Sequence, residues 1–420
     1  MKLLVFVTLS DGTQVKAGTL DFGEVLSGGR YQTTFTYAAE WLKHPGFFPL
    51  DPESMNPETN KARDKNTFES AALSPPLSVF HDSLPDDWGR RLLVTQRKLE
   101  GVNQENPYLL KEMGATALGA LSFLEPKPGT KRTKPVSKEI CSAQVVNLDD
   151  LIEAAERFEA GDRQLDDQML RLLSSGGSPG GARPKVLASS QGQQWIAKFP
   201  SKQKDNGIDV VGLEGTCMAL ALEAGIDAAK TKIQAFPRGN VLLVERFDLA
   251  ASGGRNHMIS LRTLCKETAG LYALRYKELM DKIRLHSCQP EADVSMFFRQ
   301  MAFNAVIGNT DDHLKNFAMI RDVEGYKLSK AFDLVPDILE KKEHTLLFNL
   351  NPYTTGFELV EIGESWNVKS PKEIVLQVCK AAGDFRMTAT SLGVSPASIE
   401  KFAPAIEERA ASFMTSCRGH

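Results

Sequence analysis

Three polar residues have the types and the order that phosphoryl transfer requires. Asp311 and Asn316 lie five positions apart in GNTDDHLKNF (308–317), and Asp333 follows in KAFDLVPD (330–337). In protein kinases an Asp orients the attacking hydroxyl, an Asn five residues later holds Mg²⁺, and a further Asp holds metal against the nucleotide phosphates. The spacing therefore predicts a phosphotransferase site, with Asp311 as the catalytic base and Asn316 and Asp333 as metal ligands.

Two alternatives stay open for this loop. Asn, Thr and Asp are common turn and cap residues, so the same residues could simply join two helices. The apolar runs at 303–307 and 317–320 favour the chemical interpretation, because they would anchor a polar loop between buried elements. Asp312, directly beside Asp311, also leaves the assignment of the base open by one position.

Buried segments must position these groups. Lys198 lies in WIAKF (195–199), whose apolar residues predict a largely buried strand, and a buried lysine needs an anionic partner. Glu214, in the helix predicted over 210–226, is one candidate for that partner. The alternative, that Glu214 faces solvent, stays open. On the other side of the loop, the turn signal DVEG predicts a hairpin over 318–332.

A glycine-rich stretch, SSGGSPGGARPK (174–185), precedes the lysine strand. Its backbone N–H groups could approach phosphate oxygens, and its lysine could add positive charge. The stretch matches neither a Walker A loop nor G-x-G-x-x-G, so a plain turn between two strands is the alternative. The candidates for contact with the nucleotide phosphates are Gly180, Gly181, Ala182, Lys185 and Lys198.

Further along, NVLLVERFD (240–248) predicts an apolar strand that leads into a polar loop. In a kinase this position corresponds to the hinge. Backbone groups of Glu245, Arg246 and Phe247 are therefore expected to hydrogen-bond adenine, and an ordinary buried strand end is the alternative.

Composition limits the class of protein. A chain of 420 residues with 42% hydrophobic content can bury a large core and suggests two or three domains. A net charge of -3 gives no general nucleic-acid signature. The six cysteines form no C-x-x-C pair, which argues against a zinc site and a disulfide framework. A reducing cytoplasm is the location expected from these scattered cysteines. The apolar run at 3–9 is too short to span a membrane.

The chain divides by composition into three parts. Residues 1–125 mix short strands with a polar stretch at 49–66 that is too rich in Pro, Asn and charge for a core, and they predict an amino-terminal domain. Residues 126–139 are rich in Pro and Lys and predict a basic linker or hairpin. Residues 140–420 predict the catalytic core, with helices dominating after residue 260.

Together these residues make the chain resemble the HipA family, the serine/threonine kinase toxins of bacterial toxin–antitoxin pairs. The resemblance covers most of the chain and rests on several motifs in order. It implies an α+β fold with a protein-kinase-like two-lobe core and an amino-terminal mixed α/β domain. The motifs are FTYAAEWL (35–42), FHDSLPDDWGRRLL (80–93), GATALGALSFLEP (114–126), SPGGARPK (178–185), WIAKFP (195–200), VERFD (244–248) and NTDDHLKNF (309–317).

The resemblance implies roles for further residues. It places His313 near the nucleotide, gives Lys198 a contact with nucleotide phosphate, and matches Ser178 to the family's autophosphorylated serine. Pro179 and Pro184 depart from an open glycine loop, because each fixes φ and removes an N–H donor. ATP and Mg²⁺ are the implied cofactors.

The resemblance also implies partners. These are a small helix-turn-helix antitoxin, operator DNA reached only through that antitoxin, and a protein substrate such as an aminoacyl-tRNA synthetase. No membrane partner is expected. The alternative is a kinase-fold binding protein that acts mainly as an antitoxin-bound co-repressor. The complete set of Lys198, Asp311, Asn316 and Asp333 favours the active kinase, because a pure binding protein has no need of it.

Overall fold

The structure is a computed structural model of the chain. It describes residues 1–24, 31–70, 77–126, 143–144, 148–162, 164, 166–175, 181–266 and 274–418. Ser178, Gly180 and nearly all of the predicted 126–139 linker lie outside these ranges. The chain groups into two compact units, which are described separately below. The first unit comprises Met1–Ile196, Arg246–Ala269 and Ile320–Gly325, and the second comprises Ala197–Glu245, Gly270–Met319 and Tyr326–His420.

The first unit contains an antiparallel sheet with the strand order β4-β3-β2-β1-β5. Its strands are β1 (Lys2–Thr8), β2 (Gln14–Phe22), β3 (Thr33–Tyr37), β4 (Thr67–Glu69) and β5 (Leu121–Leu124). Because alternate residues of a strand point to opposite faces, Leu3 and Val5 are both fully buried on one face of β1. A bulge between Val5 and Phe6 shifts the register against β2.

The helices of the first unit begin after the third strand of this sheet. They are α1 (Ala39–Leu42), α2 (Ser78–His81), α3 (Asp87–Arg97), α4 (Asn106–Met113), α5 (Leu148–Glu159), α6 (Asp167–Ser175) and, further on, α8 (Leu261–Leu264). In a second sheet β6 (Ala143–Gln144) runs parallel to β7 (Lys185–Ser190), and β8 (Gln193–Lys198) follows β7. β11 (His257–Ser260) neighbours β12 (Ala318–Arg321). The unit boundary falls within β8 and within β12.

The second unit is mainly helical. Its helices are α7 (Val210–Glu223), α9 (Tyr276–His286), α10 (Pro290–Ile307), α11 (Gly356–Ser365), α12 (Pro371–Gly383), α13 (Phe385–Ser391) and α14 (Pro396–Arg418). Its strands are the end of β8, then β10 (Gly239–Glu245) and β9 (Thr231–Phe236) in spatial order, and β13 (Tyr326–Leu328) beside the start of β12. α10 begins with Pro290 and ends at Gly308, whose φ of 70° suits glycine at a helix end.

Several sequence expectations can be compared with these elements. The hairpin expected over 318–332 is present as β12 and β13, and the helix expected over 210–226 is present as α7. The expectation that 49–66 lies wholly outside a core is wrong for Leu50 and Met55, which are fully buried. The Tyr37 hydroxyl accepts the Leu50 N–H and donates to the Met55 carbonyl, and so holds this segment against the sheet.

The compact units are divided differently from the expected domains, because residues 140–196 group with the first unit. The predicted boundaries near 125 and 140 stay predictions. Among the described residues, no helix combines the length and the apolar character needed to cross a bilayer.

Candidate functional site

Lys198 is the centre of a charged cluster in the second unit. Its ammonium lies 2.6 Å from an oxygen of Glu214 and 2.7 Å from an oxygen of Asp333. The side chain of Lys198 is 16% exposed and that of Glu214 is 8% exposed. Burial alone would lower the pKa of Lys198, but the two carboxylates raise it above its ordinary value. Glu214 was expected either to pair with Lys198 or to face solvent, and the pairing is confirmed.

Local structure sets this cluster in place. Asp209 begins α7 by accepting the Gly212 N–H at 2.9 Å, which satisfies an otherwise unpaired helix donor and orients the first turns that carry Glu214. Two residues before Asp333, the Ala331 N–H donates to the Asp227 carbonyl, and the Ala331 carbonyl accepts the Ala229 N–H. The backbone then takes a left-handed conformation at Asp333.

Asp333 has a left-handed backbone, with a φ of 58°. A residue with a Cβ loses about 1–2 kcal/mol in this conformation, although Asp tolerates it better than most. Strained backbone of this kind concentrates at functional sites. The Asp333 side chain is 37% exposed, more than either partner in the cluster. Asp333 is therefore the member of the cluster that is most accessible to a further ligand.

The acidic loop, defined as residues 309–316, follows α10 in the same unit. Asp312 in this loop is fully buried, and its two oxygens accept hydrogen bonds from the Tyr276 hydroxyl at 2.6 Å and the Thr345 N–H at 2.7 Å. His344 Nδ1 lies 3.0 Å from the same carboxylate. Burial and the charge of Asp312 raise the pKa of Tyr276 well above its ordinary value. Asp312 thus joins the acidic loop to two distant segments, one at Tyr276 and one at 344–345.

Asp311 has a different environment from its neighbour. Its side chain is 48% exposed, and one oxygen lies 2.7 Å from the Lys341 ammonium. The other oxygen lies 4.0 Å from His313 Nε2. Its backbone N–H donates to the Asn309 side chain at 3.2 Å. The structure therefore leaves Asp311 open to a reactant and encloses Asp312 in protein.

Asn316 closes the acidic loop. Its side-chain amide donates to the Asp311 carbonyl at 2.8 Å, and its own N–H donates to the His313 carbonyl at 2.9 Å. The amide NH₂ is thus used internally, which leaves the side-chain oxygen as the atom that can act as a ligand. His313 Nδ1 is buried and has no hydrogen-bond partner among the described residues.

The described part of the glycine-rich stretch lies in the first unit. Gly181 has a φ of 105°, and its N–H donates to the Asp86 carboxylate at 2.9 Å. The Lys185 side chain is 5% exposed and approaches Gly181 so closely that a Cβ there would collide with the ammonium. The Trp88 indole N–H donates to the Lys185 carbonyl. The Gly181 donor that we expected to contact phosphate is therefore occupied by Asp86.

The expected hinge residues also use their donors internally. The Glu245 N–H donates to Lys230 O in the second unit, and the Arg246 N–H donates to Gln194 O in the first unit. The Arg246 side chain is buried and forms a two-pronged ion pair with Asp248. The N–H groups of Glu245 and Arg246 are thus unavailable to adenine, and their carbonyl groups and Phe247 stay the predicted contacts.

Three residues of this site were not expected from the sequence. Lys341 follows Asp311 by thirty positions, and Tyr276 and His344 are separated from Asp312 by 36 and 32 positions. No short motif spans such distances, so the sequence carried no signal for these contacts. Among the described residues, no group of three or more His, Cys, Asp and Glu side chains is arranged to hold a metal.

Comparisons with known proteins show what the chain is similar to. Family models of the HipA-like C-terminal domain and of the HipA N-terminal domain match residues 177–408 and 13–124. Two Sinorhizobium fredii proteins whose names assign them as kinases, Y4mE and Y4dM, are each 25% identical to the chain. The Y4mE match covers 72% of both proteins, and the Y4dM match covers 63% of this chain and 62% of Y4dM.

A solved structure shares the fold. The Shewanella oneidensis HipA, HipB and operator DNA complex of a toxin–antitoxin system contains a chain that matches with a TM-score of 0.62. The match has 15% identity and covers 98% of this chain and 96% of that chain. The expected α+β, kinase-like fold class is confirmed by these matches.

Proposed function

This chain belongs to the HipA family, and we propose that it is a protein kinase that transfers the γ-phosphoryl group of ATP to serine or threonine, as the toxin of a toxin–antitoxin pair. The observation that carries the proposal is the Lys198 cluster, in which one ammonium binds both Glu214 and Asp333. Kinases use a lysine–glutamate pair and a metal-binding aspartate together for this reaction.

ATP and Mg²⁺ are the cofactors that the proposal requires. The Lys198 cluster sets two carboxylates, those of Glu214 and Asp333, around one ammonium, and carboxylate oxygens suit a divalent cation. Asp333 and Asn316 would hold the ion, since both offer side-chain oxygens, the ligands that Mg²⁺ prefers. When bound, the ion would supply positive charge that offsets the negative charge of the phosphates.

Asp311 is proposed as the base that accepts the proton of the substrate hydroxyl. Its exposure supports this choice over Asp312, whose two oxygens are already occupied by internal donors. Lys198 is proposed to contact nucleotide phosphate, and the unpartnered Nδ1 of His313 supports a nucleotide contact for that residue. The proposed contacts from the remaining segments are Gly180, Gly181, Ala182, Lys185, Glu245, Arg246 and Phe247.

The partners are part of the same proposal. A small helix-turn-helix antitoxin would bind the chain and connect it to operator DNA. The similar solved structure supports this, since it is a complex of HipA, HipB and operator DNA. The substrate would be a cytoplasmic protein such as an aminoacyl-tRNA synthetase. Ser178 would be phosphorylated by the protein itself, and the added charge of about -1.5 to -2 would compete for Arg183 and Lys185 and so inhibit the kinase.

Phosphate incorporation tests the proposal without knowledge of the substrate. The intact mass of the wild type should rise by one phosphate after incubation with Mg-ATP, and Ser178→Ala should show no such rise. Asp311→Asn should slow incorporation by roughly 10² to 10⁴, the scale for a positioned acid–base group. Asp281→Asn, which removes an exposed carboxylate of the same unit, is the matched control and should keep the wild-type rate.

The outcome distinguishes the kinase from a co-repressor that has only the kinase fold. A wild type that binds antitoxin but neither binds Mg-ATP nor transfers phosphate would contradict the proposal. Asp312→Asn should instead lower the unfolding temperature, because it places an NH₂ group against buried donors. If Asp312→Asn folds normally and is the slower enzyme of the two, the base is Asp312.

A further inference from the structure

A cleft of about 410 Å³ adjoins the acidic loop in the second unit. It lies between the end of α10, the segment 336–344 and α14. Small-molecule sites are typically clefts of roughly 300–1,000 Å³, so this volume is sufficient for a ligand. Its lining includes Thr310 of the acidic loop and His344, which contacts Asp312, but none of the residues proposed above to contact ATP, Mg²⁺ or the substrate hydroxyl.

The cleft combines an apolar wall with cationic groups. Phe402, Ile406 and Phe413 on α14 form the apolar part, and Arg409 lies on the same helix. Arg409 donates from Nε to the Val306 carbonyl at 2.7 Å, which is its one hydrogen bond among the described residues. Its two NH₂ groups therefore remain as donors at the cleft, in the fork geometry that binds carboxylates.

The other charged residues leave the cleft positive overall. Lys342 lines the cleft and has no ion pair within the described ranges. Asp337 accepts the N–H of Lys342 at 2.7 Å and that of Leu339 at 3.1 Å, so its carboxylate is used by its own loop. Asp337 forms no ion pair with Arg409 in the part of the chain that the structure describes. Two cations thus face one internally bound anion.

From this combination we propose that the cleft binds a small amphipathic organic acid and that the bound acid inhibits phosphoryl transfer. The carboxylate would pair with Arg409 and Lys342, and the apolar body would pack on Phe402 and Ile406. The inhibitory part rests on the proposed kinase function, whereas the binding part does not.

The loop that lines the cleft also contacts Asp311. Lys342 faces the cleft, and the adjacent Lys341 holds an oxygen of Asp311 at 2.7 Å. Glu340 and Lys342 both have left-handed backbone, with φ of 54° and 65°, so the loop is strained on both sides of Lys341. A ligand stabilises the conformation that forms its site. A ligand on Lys342 therefore favours the arrangement in which Lys341 occupies the proposed base.

Binding is tested with octanoate on the full chain by calorimetry, with 1-octanol and octylamine as probes of equal length and different charge. Octanoate should bind at least about tenfold more tightly than octanol, the scale of one charge-assisted bidentate contact. Arg409→Met should remove that preference, and Lys380→Met, an exposed lysine of α12, should keep it. Because Arg409 also bonds Val306, Lys342→Met and Ala405→Phe provide variants at exposed positions that should weaken binding without unfolding.

Inhibition is tested by the phosphate-incorporation assay with and without octanoate. Octanoate at concentrations that saturate the cleft should slow phosphate incorporation by the wild type. Ala405→Phe should incorporate phosphate at the same rate with and without octanoate. Lys341→Met should bind octanoate, but octanoate should not slow its phosphate incorporation. Equal binding of octanoate and octanol overturns the site. Binding without inhibition overturns the coupling. A wild type that transfers no phosphate contradicts the kinase proposal. The calorimetry would then still show whether the cleft binds the organic acid.

Discussion

Two ionic clusters, one in each unit, differ in how far their carboxylates are exposed. In the first unit Arg246 and Asp248 are 0% and 4% exposed, and both carboxylate oxygens accept from the guanidinium. The Gly119 N–H adds a third bond to Asp248, and only Nη1 of Arg246 lacks a partner among the described residues. In the second unit, one ammonium is shared by Glu214 and Asp333.

The difference separates a cluster that maintains the fold from one that can bind a ligand. Burial alone would raise the pKa of Asp248, but Arg246 and the Gly119 N–H hold it below the ordinary value. The Arg246 guanidinium and the Asp248 carboxylate bind each other directly, and neither side chain is accessible to a ligand. The Lys198 cluster has a partly exposed carboxylate and a left-handed backbone at Asp333. A charged cluster with a partly exposed carboxylate is the better candidate for function.

The largest expected effect is on stability and comes from Asp248→Asn. The substitution replaces an oxygen with an NH₂ group that must face the Arg246 or Gly119 donors and leaves Arg246 without a counter-ion. We expect a loss of about 3–5 kcal/mol in the free energy of unfolding, the usual cost of breaking a buried pair. Denaturant titration measures it, and Asp21→Asn, which breaks the exposed Lys2 pair of the same unit, should cost under about 1 kcal/mol. Equal losses in the two variants would contradict the comparison.

The second effect is on ligand binding and comes from Asp333→Asn. Asn tolerates the left-handed backbone at this position and keeps the shape of the side chain, so the fold should persist. Loss of the charged ligand should weaken Mg-ATP binding by about 10²-fold, because a metal contact contributes several kcal/mol. Calorimetry with and without Mg²⁺ measures this. Unchanged affinity for Mg-ATP would remove Asp333 from the metal site.

The third effect is a pH dependence that belongs to the first unit. Burial lowers the pKa of His257 to about 4, although its hydrogen bond to Leu50 opposes the shift. The unfolded chain therefore binds the proton more readily, and stability present above pH 6.5 is lost as the pH falls towards 4. Between pH 7.5 and pH 5 the loss from this group should be about 2 kcal/mol.

Urea titrations of wild type and His257→Gln at the two pH values isolate that contribution. The variant should be less stable than wild type at pH 7.5, where it loses a buried imidazole, but its stability should fall less on acidification. If the free energy of unfolding changes equally in wild type and variant between the two pH values, His257 does not cause the pH dependence.

The smallest effect is expected from Glu214→Gln. Lys198 would retain Asp333 as its anionic partner, so the lysine would remain charged and close to its present position. We expect phosphate incorporation to slow roughly tenfold, the lower end for a residue that positions another ligand. Lys198→Met should be slower than Glu214→Gln under the same conditions, and the reverse order would show that Glu214 acts independently of Lys198.

Much of this site could be predicted from local patterns. The loop between Asp311 and Asn316 is short enough that its residues must lie close together, and the turn signal after it specified the hairpin. The pairing of Lys198 with Glu214 could not be decided in the same way. It depends on which side of α7 is turned towards Lys198 when the helix packs against β9 and β10, and the hydrophobic residues of α7 occur on nearly every side.

The sequence by itself determined which residue types are present and in what order, and hence the strand with Lys198, the helix with Glu214 and the acidic loop. Only the tertiary structure decided which of two adjacent aspartates is enclosed. Asp312 is buried because Tyr276, His344 and Thr345 reach it from segments more than thirty positions away, and Lys341 reaches Asp311 in the same manner. Burial and hydrogen bonding are set by neighbours in space, and distant segments become neighbours only when the chain folds.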